Sequence, residues 1–223
     1  MANKEEEHQG TITYRPAQPS DAQIASRLIF DTFPSMATYI FGLGDERRAK
    51  EILSKLFVIE NHRFSYQFTE MVIQDETIMG MFIAYPAEEL PRLDRGLLSV
   101  ILRQHKFTDK LKVLLRGLPT MFIKEAAPDD FLLSNIAIKK ETRGQGIGAQ
   151  VLAYVEEKAK EAGYQRLALI VEIDKQAACR FYEAQGFEVK VKHLEPPHRK
   201  KHLGTGFQQM VKVLDGSLRE GSH

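Results

Sequence analysis

The spacing of hydrophobic and polar residues along the chain predicts an alternation of strands and helices. For the first part of the chain, the predicted elements are a strand at 11–17, a helix starting after Ser20, a helix at 45–59 and a hairpin at 66–86 around a turn at 74–76. Gln23 follows Ser20 by three residues, which is capping-box spacing at the start of the first helix. The chain is therefore expected to open with a strand, two helices and a hairpin.

The middle of the chain, residues 87–130, is rich in leucine. It contains two short helical candidates at 97–104 and 111–119, interrupted by Gly117 and Pro119. Most of its leucines are interpreted as core residues, with a lid or a dimer surface as alternative uses. We therefore expect this segment to be a helical insertion.

The last part of the chain interleaves strands and helices. Its predicted elements are a strand apolar on both faces at 131–138, a helix from Ile147 that ends at Gly163, a buried strand at 166–171, a short helix at 175–185 stopped by Gly186, and alternating strands at 187–194 and 206–214. Interleaved elements with hairpins at both ends place the chain in the mixed α/β class, of the α+β type.

Composition and charge narrow the class of protein. The 223 residues carry 31 Lys and Arg against 30 Asp and Glu, which gives no reason to expect nucleic acid or a membrane as partner. One cysteine, Cys179, cannot form an intramolecular disulfide, and no signal-like or membrane-spanning run is present, so a cytoplasmic protein is predicted. Because no linker or repeat is evident, we expect one domain at 11–214 between disordered ends at 1–10 and 215–223.

Three glycines, Gly144, Gly146 and Gly148, follow the doubly apolar strand and open the next helix. Such glycines let backbone N–H groups approach an anion, and the helix dipole favours negative charge there. A phosphate cradle and an empty tight turn both fit this pattern. A Walker loop is excluded because no Lys-Ser/Thr pair follows. A dinucleotide fingerprint stays open, with Ala149 as its last small residue and Glu172 as its acid, although a polar link separates the strand from the first glycine.

Residues 135–163 resemble the acyl-CoA-binding segment of the GNAT acetyltransferases. In that segment an apolar strand and a polar link precede Arg/Gln-x-x-Gly-x-Gly/Ala, and Arg143, Gly146 and Gly148 fit it without a gap. A later helix of the family is also matched, at Ala178, Phe181, Tyr182, Gly186 and Phe187. Because two motifs in the right order are more specific than one, the chain is suspected to be a GNAT N-acetyltransferase with its acetyl-CoA-binding core at 131–188.

The resemblance implies both a fold and a reaction. The fold is a mostly antiparallel sheet flanked by helices and splayed where the strand before the glycine turn meets the next. The reaction is acetyl transfer from acetyl-CoA, a cosubstrate, to a primary amine by direct attack on the thioester. The implied cofactor-binding residues are Ile136, Ala137, Ile138, Arg143, Gly144, Gln145, Gly146, Ile147, Gly148 and Lys175. Arg143 is expected either to pair with a phosphate or to brace the turn.

Two side chains are candidates for catalysis. Tyr182 is taken as the general acid for the leaving thiolate, since a phenol with a pKa of about 10 is protonated at neutral pH; the alternative is a core aromatic residue. Asn135 stands where the family often has a carboxylate, so Glu172 is taken as the candidate base; the alternative is a solvated acid at a strand end. Lys175 replaces the family's asparagine and is expected to meet a phosphate or to point to solvent.

The remaining polar features have simpler interpretations. His193, His198 and His202 lack compact metal-ligand spacing, so a solvated loop and no metal site are predicted there, and Cys179 is interpreted as a small buried residue. The acceptor is expected to be a small-molecule amine, with a polyamine, an aminoglycoside or a protein amine among the candidates, and the aromatic stretch 30–42 could wall its pocket. A homodimer is favoured. A non-catalytic acyl-CoA-binding sensor or interaction module is the alternative function.

Overall fold

A computed structural model describes residues 10–118, 120 and 123–214, which form a seven-stranded sheet with helices on both faces. The strands are β1 Ile12–Pro16, β2 Thr69–Gln74, β3 Thr77–Pro86, β4 Phe131–Ile138, β5 Arg166–Glu172, β6 Glu188–Leu194 and β7 Gly206–Val213. The helices are α1 Ala22–Thr32, α2 Pro34–Ile40, α3 Glu46–Phe57, α4 Leu90–Gln104, α5 Phe107–Gly117, α6 Ile147–Glu161, α7 Gln176–Ala184 and α8 Pro197–Leu203. The strand order is β1-β2-β3-β4-β5-β7-β6, and every pair among these strands is antiparallel except β4 with β5. The predicted mixed, mostly antiparallel fold is confirmed.

The start of α1 differs from the predicted capping arrangement. A 3₁₀ turn at Pro19–Asp21 precedes the helix, and the carboxylate of Asp21 accepts the backbone amide of Gln18 at 2.8 Å. Arg15 on β1 donates to the same carboxylate at 2.8 Å, and this hydrogen bond holds the pKa of Asp21 below its usual range. The predicted box beginning at Ser20 is wrong, because Asp21 with its charged partner takes the capping role.

Three local predictions in the rest of the chain are corrected. Helices α2 and α8 were not predicted: each has seven residues and begins at a proline, and two turns are too short to show an apolar period. Helix α8 replaces the loop expected around His198. Strand β7 is buried on both faces along most of its length rather than alternating, because it lies inside the sheet between β5 and the edge strand β6.

Apolar side chains form one core on each face of the sheet. Helices α1 to α5 cover the first face, where Leu56 of α3 packs in the same cluster as Met71 of β2. Helices α6 and α7 cover the second face, where Val155 of α6 is fully buried. Strand β4 contributes Leu132 to the first core and Leu133 to the second. The prediction that this strand is apolar on both faces is confirmed, and β4 is thereby fixed between the two layers.

The helical insertion is present, and most of its leucines belong to the core or pack against it. Leu93 is buried, whereas Leu111 and Leu115 are 62% and 65% exposed. Four other leucines of α4 are partly buried against the first core, namely Leu90, Leu97, Leu98 and Leu102. The core interpretation therefore holds for the leucines of α4 and is wrong for Leu111 and Leu115 of α5. Pro119, the predicted end of the second helix, and the predicted disordered ends except Gly10 lie outside the described residues.

The sheet opens between β4 and β5. Within the described residues these parallel strands pair at two positions, Phe131 with Leu167 and Leu132 with Ala168. Beyond them the register of β4 with β3 shifts next to Ser134, which marks a bulge. Backbone groups of β4 that face β5 are thus left without a strand partner, and such groups need hydrogen bonds from elsewhere. The predicted splay is confirmed.

Candidate active site

A cavity of about 1530 Å³ starts at the gap between β4 and β5 and extends to the inner faces of α4 and α5. It is lined by the glycine turn, the second half of β4, the end of β5, α7, the end of α1, and α2. A site for one small molecule commonly encloses roughly 300–1,000 Å³. The cavity therefore has room for two molecules, and it brings most of the sequence-predicted site residues together.

The glycine turn has the conformation of an anion cradle. A 3₁₀ turn at Lys140–Thr142 leads into Gly144 and Gly146, whose φ angles of 83° and 78° fall in the left-handed region that favours glycine. A Cβ at Gly144 or Gly146 would meet nothing within 4 Å, so the turn faces open space at the first residue of α6, Ile147. The unpaired N–H groups of this helix start and its dipole favour an anion there.

Two polar side chains of the turn, Arg143 and Gln145, lie in different surroundings. The Nε of Arg143 donates to the carbonyl of Ile138 at 3.1 Å, so this side chain braces the turn against the end of β4. Gln145 borders a small separate pocket together with Gly10 and Ile12 rather than the large cavity. Binding of an anion here is therefore expected from the backbone of the turn.

The backbone of β4 presents hydrogen-bonding groups to the gap. The amide of Lys139 donates to the carbonyl of Met79 at 2.8 Å, which fixes the alternation of the antiparallel β3–β4 pair. By that alternation Ala137 bonds toward β3, whereas Ile136 and Ile138 turn their N–H and C=O groups toward the gap. Two of the three predicted pantetheine-contacting residues thus have backbone groups available on the correct side.

Tyr182 lies on α7 and lines the cavity. Its ring is tilted on Phe181 at 5.4 Å and packs edge-on against Phe187 at 5.8 Å, which fixes the side chain. Burial raises the pKa of Tyr182 to about 12, so the hydroxyl is protonated at neutral pH. The residue is therefore part of the aromatic packing and has a protonated hydroxyl at neutral pH.

Glu172 and Lys175 form a connected pair at the end of β5, and both line the cavity. The Lys175 ammonium lies 3.5 Å from the Glu172 carboxylate and donates to the carbonyl of Thr32 at 2.5 Å. Burial raises the pKa of Glu172 against the opposing effect of Lys175. The interpretations of a solvated acid and of a solvent-directed lysine are wrong, because Glu172 faces the cavity and Lys175 is held by α1. Contact of Lys175 with a phosphate stays a prediction.

Thr32, at the end of α1, accepts hydrogen bonds from both Asn135 and Lys175. The Asn135 amide donates to Thr32 Oγ1 at 2.7 Å, while Lys175 holds the carbonyl of the same residue. Asn135 and Lys175, the two residues that depart from the family pattern, therefore both hydrogen-bond to Thr32, the last residue of α1. Asn135 does so from β4, and Lys175 from the link between β5 and α7. This arrangement fixes the end of α1 over the gap, and neither residue is placed as a base.

Sequence reasoning missed a polar cluster around Arg63 in the cavity wall. Arg63 donates to both oxygens of Glu125 at 2.7 and 2.5 Å, to Asp94 at 3.2 Å and to Ser134 Oγ at 3.2 Å. All four side chains of this cluster line the cavity, namely Arg63, Asp94, Glu125 and Ser134. Because they come from four separate segments, the sequence carried no spacing that linked them.

Other candidate groups have structural roles. The His202 ring stacks on Tyr39 at 4.7 Å, which joins α8 to α2. The Cys179 thiol is buried, burial raises its pKa, and Sγ lies 3.7 Å from the Glu172 carbonyl, so it behaves as a small buried residue. In the described part of the chain, no three His, Cys, Asp or Glu side chains are grouped to hold a metal ion.

The open sheet and the glycine turn at its gap agree with the arrangement that the resemblance to the GNAT acetyltransferases implies. The sequence model of the acetyltransferase (GNAT) family matches residues 36–187, which is more than half of the 223 residues. The chain belongs to this family and is an acetyltransferase.

Solved structures share the fold at low sequence identity. An N-acetyltransferase from Staphylococcus aureus Mu50 is 19% identical with a TM-score of 0.69, covering 89% of this chain and 99% of its own. A structure described as an acetyltransferase is 23% identical with a TM-score of 0.65, covering 91% and 100%. The ribosomal-protein-S18-alanine N-acetyltransferase from Escherichia coli is 14% identical with a TM-score of 0.51, covering 96% and 100%. A search of curated proteins finds no match to the sequence.

No helix among the described residues combines the length and apolarity needed to cross a bilayer.

Proposed function

We propose that this acetyltransferase moves an acetyl group from acetyl-CoA to the primary amine of a small molecule by direct attack on the thioester. The observation that carries this proposal is the single cavity that joins the glycine turn to Glu172 and Tyr182 and continues beyond them. Direct transfer needs both substrates in one site, and the cavity has room for both. Membership of an acetyltransferase family favours this enzyme over a non-catalytic module.

The residues present fit acetyl-CoA. The backbone N–H groups from Gly144 to Gly148 would hold its pyrophosphate, because they lie at the start of α6 and the turn faces open space at Gly144 and Gly146. The backbone groups of Ile136 and the N–H of Ile138 would bind its pantetheine arm along the unpaired edge of β4. When bound, acetyl-CoA supplies an activated acyl group. Arg143 supports this site through the carbonyl of Ile138 rather than by contact with phosphate.

Glu172 and Tyr182 carry out the two proton transfers of the reaction. The acceptor nitrogen forms a bond to the thioester carbon and the carbon–sulfur bond breaks. Glu172 takes the proton that the amine loses, since burial has raised its pKa and so increased its basicity. Tyr182 gives its proton to the departing thiolate.

A small acceptor is supported by the walls of the outer cavity. Beyond the gap, the cavity lies between α2, α4 and α5, and most of its lining there is apolar. A compact amine fits the volume and the apolar walls of this part of the cavity, which supports a small molecule as the acceptor. The aromatic stretch 30–42 contributes Phe33 and Phe41 to this wall, as the sequence suggested. The buried Cys179 is compatible with a cytoplasmic setting, where thiols stay reduced.

The test combines binding and turnover. Titration calorimetry with acetyl-CoA and with NADH should show binding of acetyl-CoA alone, because the turn lacks a dinucleotide arrangement. Thiol release from acetyl-CoA should then depend on an added amine drawn from a panel of mono-, di- and polyamines, aminoglycosides and peptides. Turnover with peptides alone would overturn the small-molecule acceptor, and binding of NADH alone would overturn acetyl transfer.

Replacing Glu172 with glutamine should lower kcat by roughly 100-fold or more, the usual contribution of a general base. In the wild type, kcat/KM should fall as pH drops through the raised pKa of Glu172, because the protonated carboxyl cannot accept the amine proton. This acidic limb should disappear in Glu172→Gln. The matched control is Glu188→Gln on the exposed edge strand β6, which should leave the profile unchanged. An unaltered limb in Glu172→Gln would remove Glu172 as the base.

A further inference from the structure

The polar cluster around Arg63 has an unequal distribution of hydrogen bonds. Arg63 forms a two-bonded pair with Glu125 at 2.7 and 2.5 Å, but its contact with one Asp94 oxygen is 3.2 Å long. Charge-assisted N–H···O bonds are typically about 2.7–2.9 Å. The second Asp94 oxygen receives no hydrogen bond from any described residue. Glu125 therefore takes most of the guanidinium, and Asp94 keeps unused accepting capacity.

The charge of this cluster also favours an additional hydrogen-bond donor for Asp94. One guanidinium, on Arg63, faces two carboxylates, Asp94 and Glu125, so the ionised cluster carries an excess negative charge. The Asp94 side chain is one-quarter exposed, and it lines the cavity. Arg95 also lines the cavity but is exposed to solvent. A partly buried carboxylate with incomplete partners is stabilised by a donor, above all by a cation.

The cluster lies beside the gap between β4 and β5. Arg63 also donates to the hydroxyl of Ser134, at the bulge of β4 beside the gap. One guanidinium group thus separates Asp94 from the strand along which acetyl-CoA would bind. Apolar side chains line the same cavity, including Phe64, Leu97 and Leu98. A ligand in this cavity can therefore place one group at the gap, pack its body on apolar side chains and present a second group to the Asp94 carboxylate.

We propose that Asp94 anchors a second, cationic group of the acceptor, so that the preferred acceptor is an amine with an apolar body and a second ammonium group. This inference rests on the proposed function and specifies its substrate class. Asp94 acts as a specificity-determining residue, whereas Glu172 and Tyr182 at the gap carry out the proton transfers. Because Asp94 comes from α4, the helical insertion sets the acceptor preference.

The experiment compares a diamine with the monoamine of the same chain length, using cadaverine and pentylamine as probes. In the wild type, KM should be roughly 10- to 100-fold lower for cadaverine, the value of a charge-assisted hydrogen bond. In Asp94→Asn this preference should vanish through a higher KM for cadaverine, with kcat and the KM for pentylamine little changed. Asp31→Asn, at an exposed carboxylate that lines the same cavity, should keep the preference.

Several outcomes would overturn the anchor while leaving the proposed function intact. These are equal KM values for the two probes in the wild type, a preference that survives in Asp94→Asn, or an equal loss with both probes. Absence of turnover with every amine would instead refute the proposed function. Calorimetric titration of cadaverine into wild-type protein and Asp94→Asn, together with their melting temperatures, separates lost binding from misfolding: tighter binding to a wild type of equal stability supports the anchor.

Discussion

Replacing Tyr182 with phenylalanine is expected to lower kcat roughly 100-fold, the usual contribution of a positioned general acid. The ring keeps its contacts with Phe181 and Phe187, so folding and the affinity for acetyl-CoA should change little. Steady-state kinetics with a fixed amine, and calorimetry with acetyl-CoA, measure the two quantities separately. A fall in kcat at constant affinity would place the hydroxyl in the chemical step.

The raised pKa of Tyr182 adds a pH signature to this prediction. Because burial raises it to about 12 from 10.0, the acid stays protonated beyond the ordinary pKa of a phenol. The wild-type kcat should therefore show no basic limb from this group up to pH 10. Tyr164→Phe is the control, since the Tyr164 hydroxyl lies on the surface near Glu88 and away from the cavity. If Tyr182→Phe turns over as fast as Tyr164→Phe, the residue is only a packing aromatic.

Replacing Gly146 with valine is expected to raise the Kd of acetyl-CoA by at least about tenfold, the cost of losing one or more hydrogen bonds to a charged group. Gly146 has a φ of 78°, and its Cβ would project into the open space in front of the turn. The substitution thus blocks the cradle and strains the backbone by roughly 1–3 kcal/mol. Calorimetric titration measures the loss of affinity.

Gly163 provides a matched control at the other end of α6. Its φ is 85°, and a Cβ there would also meet nothing within 4 Å. Gly163→Val should therefore lower the melting temperature by a similar amount, a few degrees for a chain of this size, while leaving the Kd unchanged. Equal Kd values for the two variants would show that the turn at Gly146 does not bind the cosubstrate.

The residues that depart from the family pattern show how far a sequence comparison reaches. Lys175 and Asn135 were singled out by position, but their function depends on Thr32, which lies more than a hundred residues earlier in the chain. No local pattern could connect them, because hydrogen bonds across the splay form only after α1 packs on β4. The role of the lysine as a tether to α1 is accordingly a result of the structure.

The insertion shows a second limit of sequence reasoning. The helical period of 87–117 was visible, but the period does not distinguish a face that packs on a core from one that borders a cavity. Val113 is buried while Leu115, two residues further, is exposed. The orientation of α4 and α5 decided which of their side chains line the cavity.

The sequence by itself determined the strand order and most of the helices, the mixed sheet, the glycine turn and the position of Tyr182, because local periodicity and two short motifs encode them. The tertiary structure decided the burial and raised pKa of Glu172, the clasp on Thr32 and the cluster around Arg63 and Asp94. These features depend on distances between segments far apart in the chain. Such distances, and the exclusion of water that changes a pKa, arise only when the layers pack together.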